Sequence, residues 1–569
     1  MPKDMKQRQR VLLVEPNYKN KYPPIGLMKI STYFKSKGFT VEFHKGLLPT
    51  SEIKSFDLAF ITTMFTFDFD MCIDTIKYYA AILGLENIYV GGIAVTIMPE
   101  NFLAAIPGVR LLTGRLTDSS ILGFSDGINI DALELDYDML LDISYEYPMA
   151  DSYFIHTTRG CPRKCSFCAV KTLEPEFFDC DNIITQVHTV NQKYGIKRNL
   201  LIMDNNILYS NNLAQTVEKI CTLGYKKDEN KITRSNPMRW YLSSLQSRIE
   251  AGRAYKHLLS RIKRILFSLN FNRIKKEDQP RLQHIIALAD SDDQKVFVET
   301  LCKEKDFLFS FFDKYFYHKI TRYVDFNQGL DARLFTEEKA QLLGRLALKP
   351  CRIAFDDIST QDDYFKALNL CVKHGMSYFS NYLLYNYKDT PQDLWERLKM
   401  NIDFCAKHPG VSLFSFPMKY ASIYHTDRSY IGKHWCKKYL RGLNVILNVT
   451  GGVVAKESDF FARAFGETKD EFIEILSMPD EFIRFRDFFE ANGLNEEWRS
   501  QYCSLSTKQQ ELLINILSEC DSIHDLDTIT VSDQKIKKIL SFYTLRKKTL
   551  ENGSEYRMIL AEHMRLISS

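Results

Sequence analysis

His156-Thr-Thr-Arg-Gly-Cys161-Pro-Arg-Lys-Cys165-Ser-Phe-Cys168 follows directly on the apolar run Tyr153-Phe154-Ile155. Its three cysteines stand at CxxxCxxC spacing behind a strand-like segment. Thiolates are soft ligands that select iron–sulfur clusters, zinc and copper(I). A four-iron cluster held by three cysteines leaves one iron without a protein ligand. An open position of that kind is where a substrate binds, as in catalytic zinc sites. The alternatives are a zinc knuckle completed by a distant ligand such as Cys180 or His156, or three unrelated buried thiols. Zinc knuckles usually show two CxxC pairs at matched spacing, and the chain holds no second pair.

The run resembles the cluster loop of the radical S-adenosylmethionine (SAM) superfamily. Arg159-Gly160 stand before the first cysteine, Pro162 after it, and Phe167 before the last. The resemblance implies that Cys161, Cys165 and Cys168 each bind one iron of a [4Fe–4S] cluster, and that the fourth iron chelates SAM. It further implies reductive cleavage of SAM to a 5′-deoxyadenosyl radical that takes hydrogen from a substrate, and a one-electron donor such as flavodoxin or ferredoxin. In such an enzyme the protein supplies orientation and exclusion of water. Arg159 and Lys164 flank the loop. As cations they would offset the cluster's charge and raise its potential; the bland alternative is two solvated surface charges.

Upstream, strand and helix alternate. Val11–Glu15, Thr40–Phe43, Leu58–Thr62, Ile88–Gly92 and Val109–Gly114 read as strands, with helices from Pro24 to Ser36 and Asp70 to Leu83. That alternation predicts an open parallel sheet. Residues 1–118 resemble the cobalamin-binding domain that precedes many radical SAM cores. The matching pieces are Pro24-Ile25-Gly26-Leu27, Lys37-Gly38-Phe39-Thr40-Val41 and Gly91-Gly92. The DxHxxG signature that sets a histidine beneath cobalt is absent; after Val14 the chain reads Glu15-Pro16-Asn17-Tyr18-Lys19-Asn20. The resemblance admits cobalamin as a further cofactor. The alternative is a Rossmann-like domain kept for packing or substrate capture. Residues 119–150 are acidic (Asp131, Glu134, Asp136, Asp138, Asp142) and read as a linker with a short helix.

From 151 to 424 the alternation resumes as the radical SAM core. Polar residues recur at the C-terminal ends of its strands, the rim on which barrels of βα units build sites. This predicts a partial (β/α)6 barrel. By the same resemblance the SAM contacts would be Asp204 and Asn205 after the second strand, Gln328 and Asp331, Asp356 and Asp357, and Pro417-Met418 against the adenine. Each acid is equally read as a helix N-cap. Residues 225–320 interrupt the core with a helical insertion without a convincing strand. Between Lys226 and Lys276 lie fourteen Lys or Arg against three acids, in a chain of net charge +4. Trp240, Tyr241, Tyr255, Phe267 and Phe271 are interleaved. Clustered cations with aromatic stacking partners suit nucleic acid; the alternative is a solvated basic insertion. Residues 425–569 read as mostly helical, with a short strand at Ile529–Val531 and a last helix near Leu540–Ile567.

The expected fold is therefore α/β: a Rossmann-like open parallel sheet, a partial barrel with a helical insertion, and a helical C-terminal region. Of 569 residues, 45% are apolar and 26% charged, a globular composition. No apolar run approaches the ~20 residues of a membrane span, and Val11–Val14 is too short for a signal peptide. Thirteen cysteines without a disulfide-like framework suit a reducing compartment. A cytoplasmic radical SAM enzyme of open substrate is the leading expectation. Methylthiotransferases add a second three-cysteine cluster upstream, whereas only Cys72 precedes this motif. The competing readings are a nucleic-acid-binding or regulatory protein with a structural metal site, and a redox sensor.

Overall fold

The computed structural model describes residues 10–291, 293–520 and 531–551. Contacts divide the chain into two compact units. The first comprises residues 1–330, 338–349 and 421–428; the second comprises 331–337, 350–420 and 429–569.

In the first unit, β1 (Arg10–Glu15), β2 (Thr40–Lys45), β3 (Leu58–Thr63), β4 (Ile88–Gly92) and β5 (Arg110–Leu112) form one parallel sheet of order β2-β1-β3-β4-β5. Val11, Leu12, Leu13 and Val14 are all fully buried, as a strand covered on both faces requires. Helix Ile25–Ser36 buries Leu27, Ile30 and Phe34 and stops before Gly38, whose φ of 82° ends it. After β1 the chain places β2 on one side and β3 on the other, so the order reverses between β1 and β3. In open α/β sheets ligands bind outside the strand ends at such a reversal.

Three strands of the expected barrel lie in the same unit. These are β6 (Ser152–Ile155), β9 (Asn199–Ile202) and β12 (Val324–Phe326), parallel in the order β12-β9-β6. Between β6 and β9 a short antiparallel pair, β7 (Thr158–Arg159) with β8 (Phe178–Asp179), closes the base of the cysteine loop.

Residues 119–150 are not a loose linker. They carry three 3-10 turns (Ser119–Leu122, Ile130–Ala132 and Tyr137–Leu141) and bury Leu135, Tyr137, Met139 and Leu141. Their acids are spent on ion pairs. Asp131 meets Lys29 at 2.8 Å and Arg159 at 2.7 Å, and Asp136 meets Lys35 at 2.7 Å. Asp142 accepts from the Phe43 amide of edge strand β2 at 2.9 Å. The segment is a strap laid over the sheet.

The insertion is bracketed by two strands that the sequence did not suggest, β10 (Lys231–Arg234) and β11 (His318–Thr321), paired antiparallel. Between them five helices from Met238 to Tyr315 pack around Leu245, Leu258, Ile262, Leu282, Phe297 and Phe311, and Leu141 of the strap joins that core. The fully buried Arg248 fastens insertion to strap. Its guanidinium pairs with Asp142, bonds the Asp138 carbonyl at 2.8 Å, and reaches the Asp138 carboxylate at 3.1 Å. Arg253 adds contacts of 3.3 and 3.1 Å to the same two acids.

The second unit holds a parallel sheet of β13 (Cys351–Arg352), β14 (Tyr378–Tyr385) and β15 (Ser412–Lys419). Helix Pro391–Lys407 begins on a capping box of Thr390 and Asp393. Its fully buried Arg397 donates to the carbonyls of Phe355, Asp356 and Leu384 and to Asp389, tying the strand ends together. Helices follow from Lys437. At the start of the expected final helix, Gln534–Leu540 gives way to a 3-10 turn at Ser541–Thr544 and helix begins again at Lys547; the rest of that helix, 552–567, lies outside the described residues. The expected strand at 529–531 falls largely outside the described residues. Among the described residues no helix is long and apolar enough to cross a membrane.

Candidate functional site at the cysteine loop

The loop leaves β7 through Gly160, at a φ of 71°. A side chain there would be doubly excluded. The left-handed backbone disfavours it, and a Cβ would sit 2.0 Å from the Glu176 carbonyl oxygen. Glu174 holds the turn in place: it accepts from the Gly160 amide at 2.7 Å, Arg159 at 2.7 Å and Asn205 at 2.9 Å. Arg159 is buried and shared with Asp131. Its charge is matched by two carboxylates, so it is not a solvated surface cation, whereas Lys164 is exposed. Gly160→Ala is expected to destabilise the loop by about 2–4 kcal/mol and to lower metal retention. Thermal melting and iron analysis of the anaerobically purified protein check this.

Cys161, Cys165 and Cys168 are half-buried cysteines of this one loop. Asn206 donates to the Cys161 sulfur at 3.6 Å, and the Cys168 amide donates to the Cys165 carbonyl at 3.1 Å. Among the described residues no three or more His, Cys, Asp or Glu are gathered for a single metal ion. A four-iron cluster takes each of its thiolates on a separate iron. The donor chemistry, three thiols with an amide N–H on one sulfur, fits that group.

Residues that flank this loop, His156, Arg159, Val170, Glu174, Asn205 and Gln328, form one wall of a cavity of about 450 Å³; the three cysteines are not among its lining residues. The opposite wall is the C-terminal edge of the five-stranded sheet at the β1/β3 reversal, with Glu15, Thr62, Thr63, Gly91, Gly92 and Gly114. Gly92 is required by close approach: at φ 108° its Cβ would lie 2.2 Å from the Thr63 carbonyl oxygen. His156 is held well below the ordinary histidine range, first by burial and then by Arg159 and Lys29, so the imidazole is neutral near pH 7. Glu15, which stands where the histidine signature would begin, is closed off. It is fully buried and takes Lys45 at 2.7 Å and the Tyr147 hydroxyl.

The predicted SAM contacts separate. Asn205 and Gln328 line the cavity; Asp204 does not. Its buried carboxylate turns inward and accepts from the Thr157 amide at 2.7 Å and from the Thr157 hydroxyl, bracing β9 against the start of the loop. Burial pushes that carboxyl up to about 6, against hydrogen bonds from Thr157 and Thr158 that pull it down. A carboxyl raised in the fold adds stability below its unfolded range and loses it as pH rises through about 6. The loss is about 3 kcal/mol between pH ~4 and ~7. Asp204→Asn is expected to flatten that slope in urea unfolding measured across the same window.

Asp331, Asp356, Asp357, Pro417 and Met418 belong to the second unit. Asp331 caps the turn Ala332–Leu334 and pairs with Arg333 at 2.7 Å, and Asp357 caps Ile358–Thr360. Asp356 is pushed up to about 6 by burial, opposed by Arg397 and Arg333. Pro417 and Met418 lie in the last part of β15, with Met418 exposed. Sequence reasoning missed Glu174 and gave Asp131 no role in the site. Glu174 sits in an unpatterned Thr-Leu-Glu-Pro stretch. The only signal for Asp131 was its place among acids in a segment taken for a linker.

No protein-family model matches the chain, and no curated protein matches it. Solved structures similar to it include two of the radical SAM methyltransferase TsrM from Kitasatospora setae. One has cobalamin and a [4Fe–4S] cluster bound. It is 13% identical, covers 72% of this chain and 75% of its own, and superposes with a TM-score of 0.40. The other has tryptophan substrate and the SAM analogue aza-SAM bound. It is also 13% identical, covers 73% of each chain, and gives a TM-score of 0.41.

Proposed function

We propose that this protein is a radical SAM enzyme whose [4Fe–4S] cluster is carried by Cys161, Cys165 and Cys168. The observation that carries the proposal is the CxxxCxxC loop after β6, whose flanking residues His156, Arg159, Val170 and Glu174 line a cavity that also takes in the reversal point of a Rossmann-like sheet. Such a cluster, with SAM on its open iron, supplies one-electron cleavage of a carbon–sulfur bond. The chain's own residues do the rest. Glu174 and Gly160 fix the loop, Asn206 supports one sulfur, and Asn205 and Gln328 offer amide contacts on the cavity wall. The mostly apolar remainder of that wall excludes water.

Cobalamin is the further cofactor that this cavity suits. Gly91, Gly92 and Gly114 would let a large flat ligand approach the backbone at the sheet edge. Glu15, tied to Lys45 and Tyr147, would not serve as a metal ligand there. Cobalamin, when bound, supplies a carrier for methyl groups, and methyl transfer to a substrate in the cavity is then the reaction class. The reductant would be a flavodoxin or ferredoxin.

The test is EPR of anaerobically purified, dithionite-reduced protein with and without SAM, followed by product analysis. A [4Fe–4S]⁺ signal reshaped by SAM, with 5′-deoxyadenosine or S-adenosylhomocysteine formed, supports the proposal. A zinc-loaded protein, or a cluster signal blind to SAM, sinks it.

A further inference from the structure

The fourteen cations between Lys226 and Lys276 are not equivalent once folded. Several are consumed internally. Arg234 pairs with Asp151, Arg239 with Asp313, and Arg248 and Arg253 with Asp138 and Asp142. Arg261 donates to the carbonyls of Leu140 and Ile143. Of these, the buried Arg248 and Arg253 hold the insertion to its surroundings and are lost to any partner.

A different set gathers along helix Lys256–Phe267 and the loop after it. At 100° per residue, Lys256, Ser260, Lys263, Arg264 and Phe267 fall on one face. The opposite face buries Leu258, Leu259, Ile262 and Leu266. Phe267 ends that outward face with 51% of its surface exposed, an unusual place for a large aromatic ring. Asn270, Asn272, Arg273, Lys275 and Lys276 continue the strip, all exposed. Its acids are few and solvent-facing: Glu146 meets Arg264 at 2.7 Å, and Glu277 meets Lys275 at 3.7 Å. Lys263 lies over the Phe297 ring at 5.3 Å.

We infer that this strip, from Lys256 to Lys276, is a docking surface for single-stranded nucleic acid. The cations track phosphates, and Phe267 offers an open π-face on which a base stacks. A duplex, whose bases are already stacked, could use only the charges. Surface pairs such as Arg264–Glu146 are weak and yield to a phosphate, which makes the stronger charge-assisted contact with arginine. The inference is independent of the cluster chemistry.

The test is fluorescence anisotropy of the full-length protein with a labelled ~15-nucleotide oligo(U), the matching oligo(dT) and a duplex of the same length. Titrations run at ~50 and ~200 mM salt. Single strands are expected to bind more tightly than duplex, with affinity falling steeply in salt. Phe267→Ala should weaken single-strand binding about ten-fold and leave duplex binding unchanged; Phe267→Trp should restore it. Lys256→Glu with Arg273→Glu should weaken both and flatten the salt dependence by roughly one unit of slope per lost contact. Melting curves confirm that these exposed sites leave the fold intact. The inference is overturned if no single strand binds at low salt, if the strip variants bind like wild type, or if Phe267→Ala is silent and duplex binds as well as single strand. That last result would mean polyanion attraction only.

Discussion

Cys165→Ala protein, reduced without air, is expected to show no [4Fe–4S]⁺ signal and no response to SAM, with turnover at the level of buffer. In the proposed site Cys165 is the middle ligand of a loop held at Gly160 by Glu174. The nearby thiol that could compete is Cys180, which lies outside the loop. Its amide donates to the Thr157 carbonyl at 2.8 Å, and burial pushes its thiol up, away from the thiolate that binds metal. Cys180→Ala is therefore expected to keep full iron content and the SAM-sensitive spectrum. Loss of the signal in Cys180→Ala, with retention in Cys165→Ala, would reverse the ligand assignment.

Arg248→Ala should be the most damaging single change away from the cysteines, at about 3–5 kcal/mol. Two carboxylates would be left in a buried site with only Arg253 and Lys35 to answer them. Burial pushes the Asp138 carboxyl up; Arg248 first, then Lys35 and Arg253, outweigh it and hold the group well below the ordinary carboxylate range. A carboxyl depressed in this way gives stability that is present above its unfolded range and disappears as pH falls. Wild-type protein should accordingly release its insertion to trypsin only in acid-treated samples, whereas Arg248→Ala should release it at neutral pH. Adding Asp138→Leu and Asp142→Leu should recover part of the loss, because an apolar contact replaces stranded charges. Equal trypsin resistance of wild type and Arg248→Ala would show that the pair does not hold the insertion.

Periodicity made the Rossmann-like half legible. Val11–Val14 and Leu58–Ile61 are continuous apolar runs because both faces of the strands are covered. Gly38 and Gly92 fall where the backbone needs positive φ. The three cysteines and Gly160 could be read because their chemistry is local to thirteen residues of sequence. What stayed hidden depends on partners far along the chain. Lys231-Ile-Thr-Arg and His318-Lys-Ile-Thr are too short and polar to announce strands, and each becomes one only by pairing with the other. Asp138 and Asp142 look like linker acids until Arg248 and Arg253 fold back onto them. Asp204 follows a strand, as a cofactor contact would. Its direction is set by the amide and hydroxyl of Thr157, 47 residues earlier, and no local pattern carries that.

The strap also imposes an order of assembly during synthesis. Asp138 leaves the ribosome 110 residues ahead of Arg248, so a nascent chain holds strap carboxylates with Lys35 but without their arginines through much of its elongation. Closing a loop of that length costs entropy before any contact rewards it. Until the insertion has emerged and docked, edge strand β2 has its acidic cover but not the arginines that neutralise it. Pausing or truncation between these points would yield an acidic, half-covered intermediate, and an insertion grafted from elsewhere would have to bring its own arginine pair to complete the sheet.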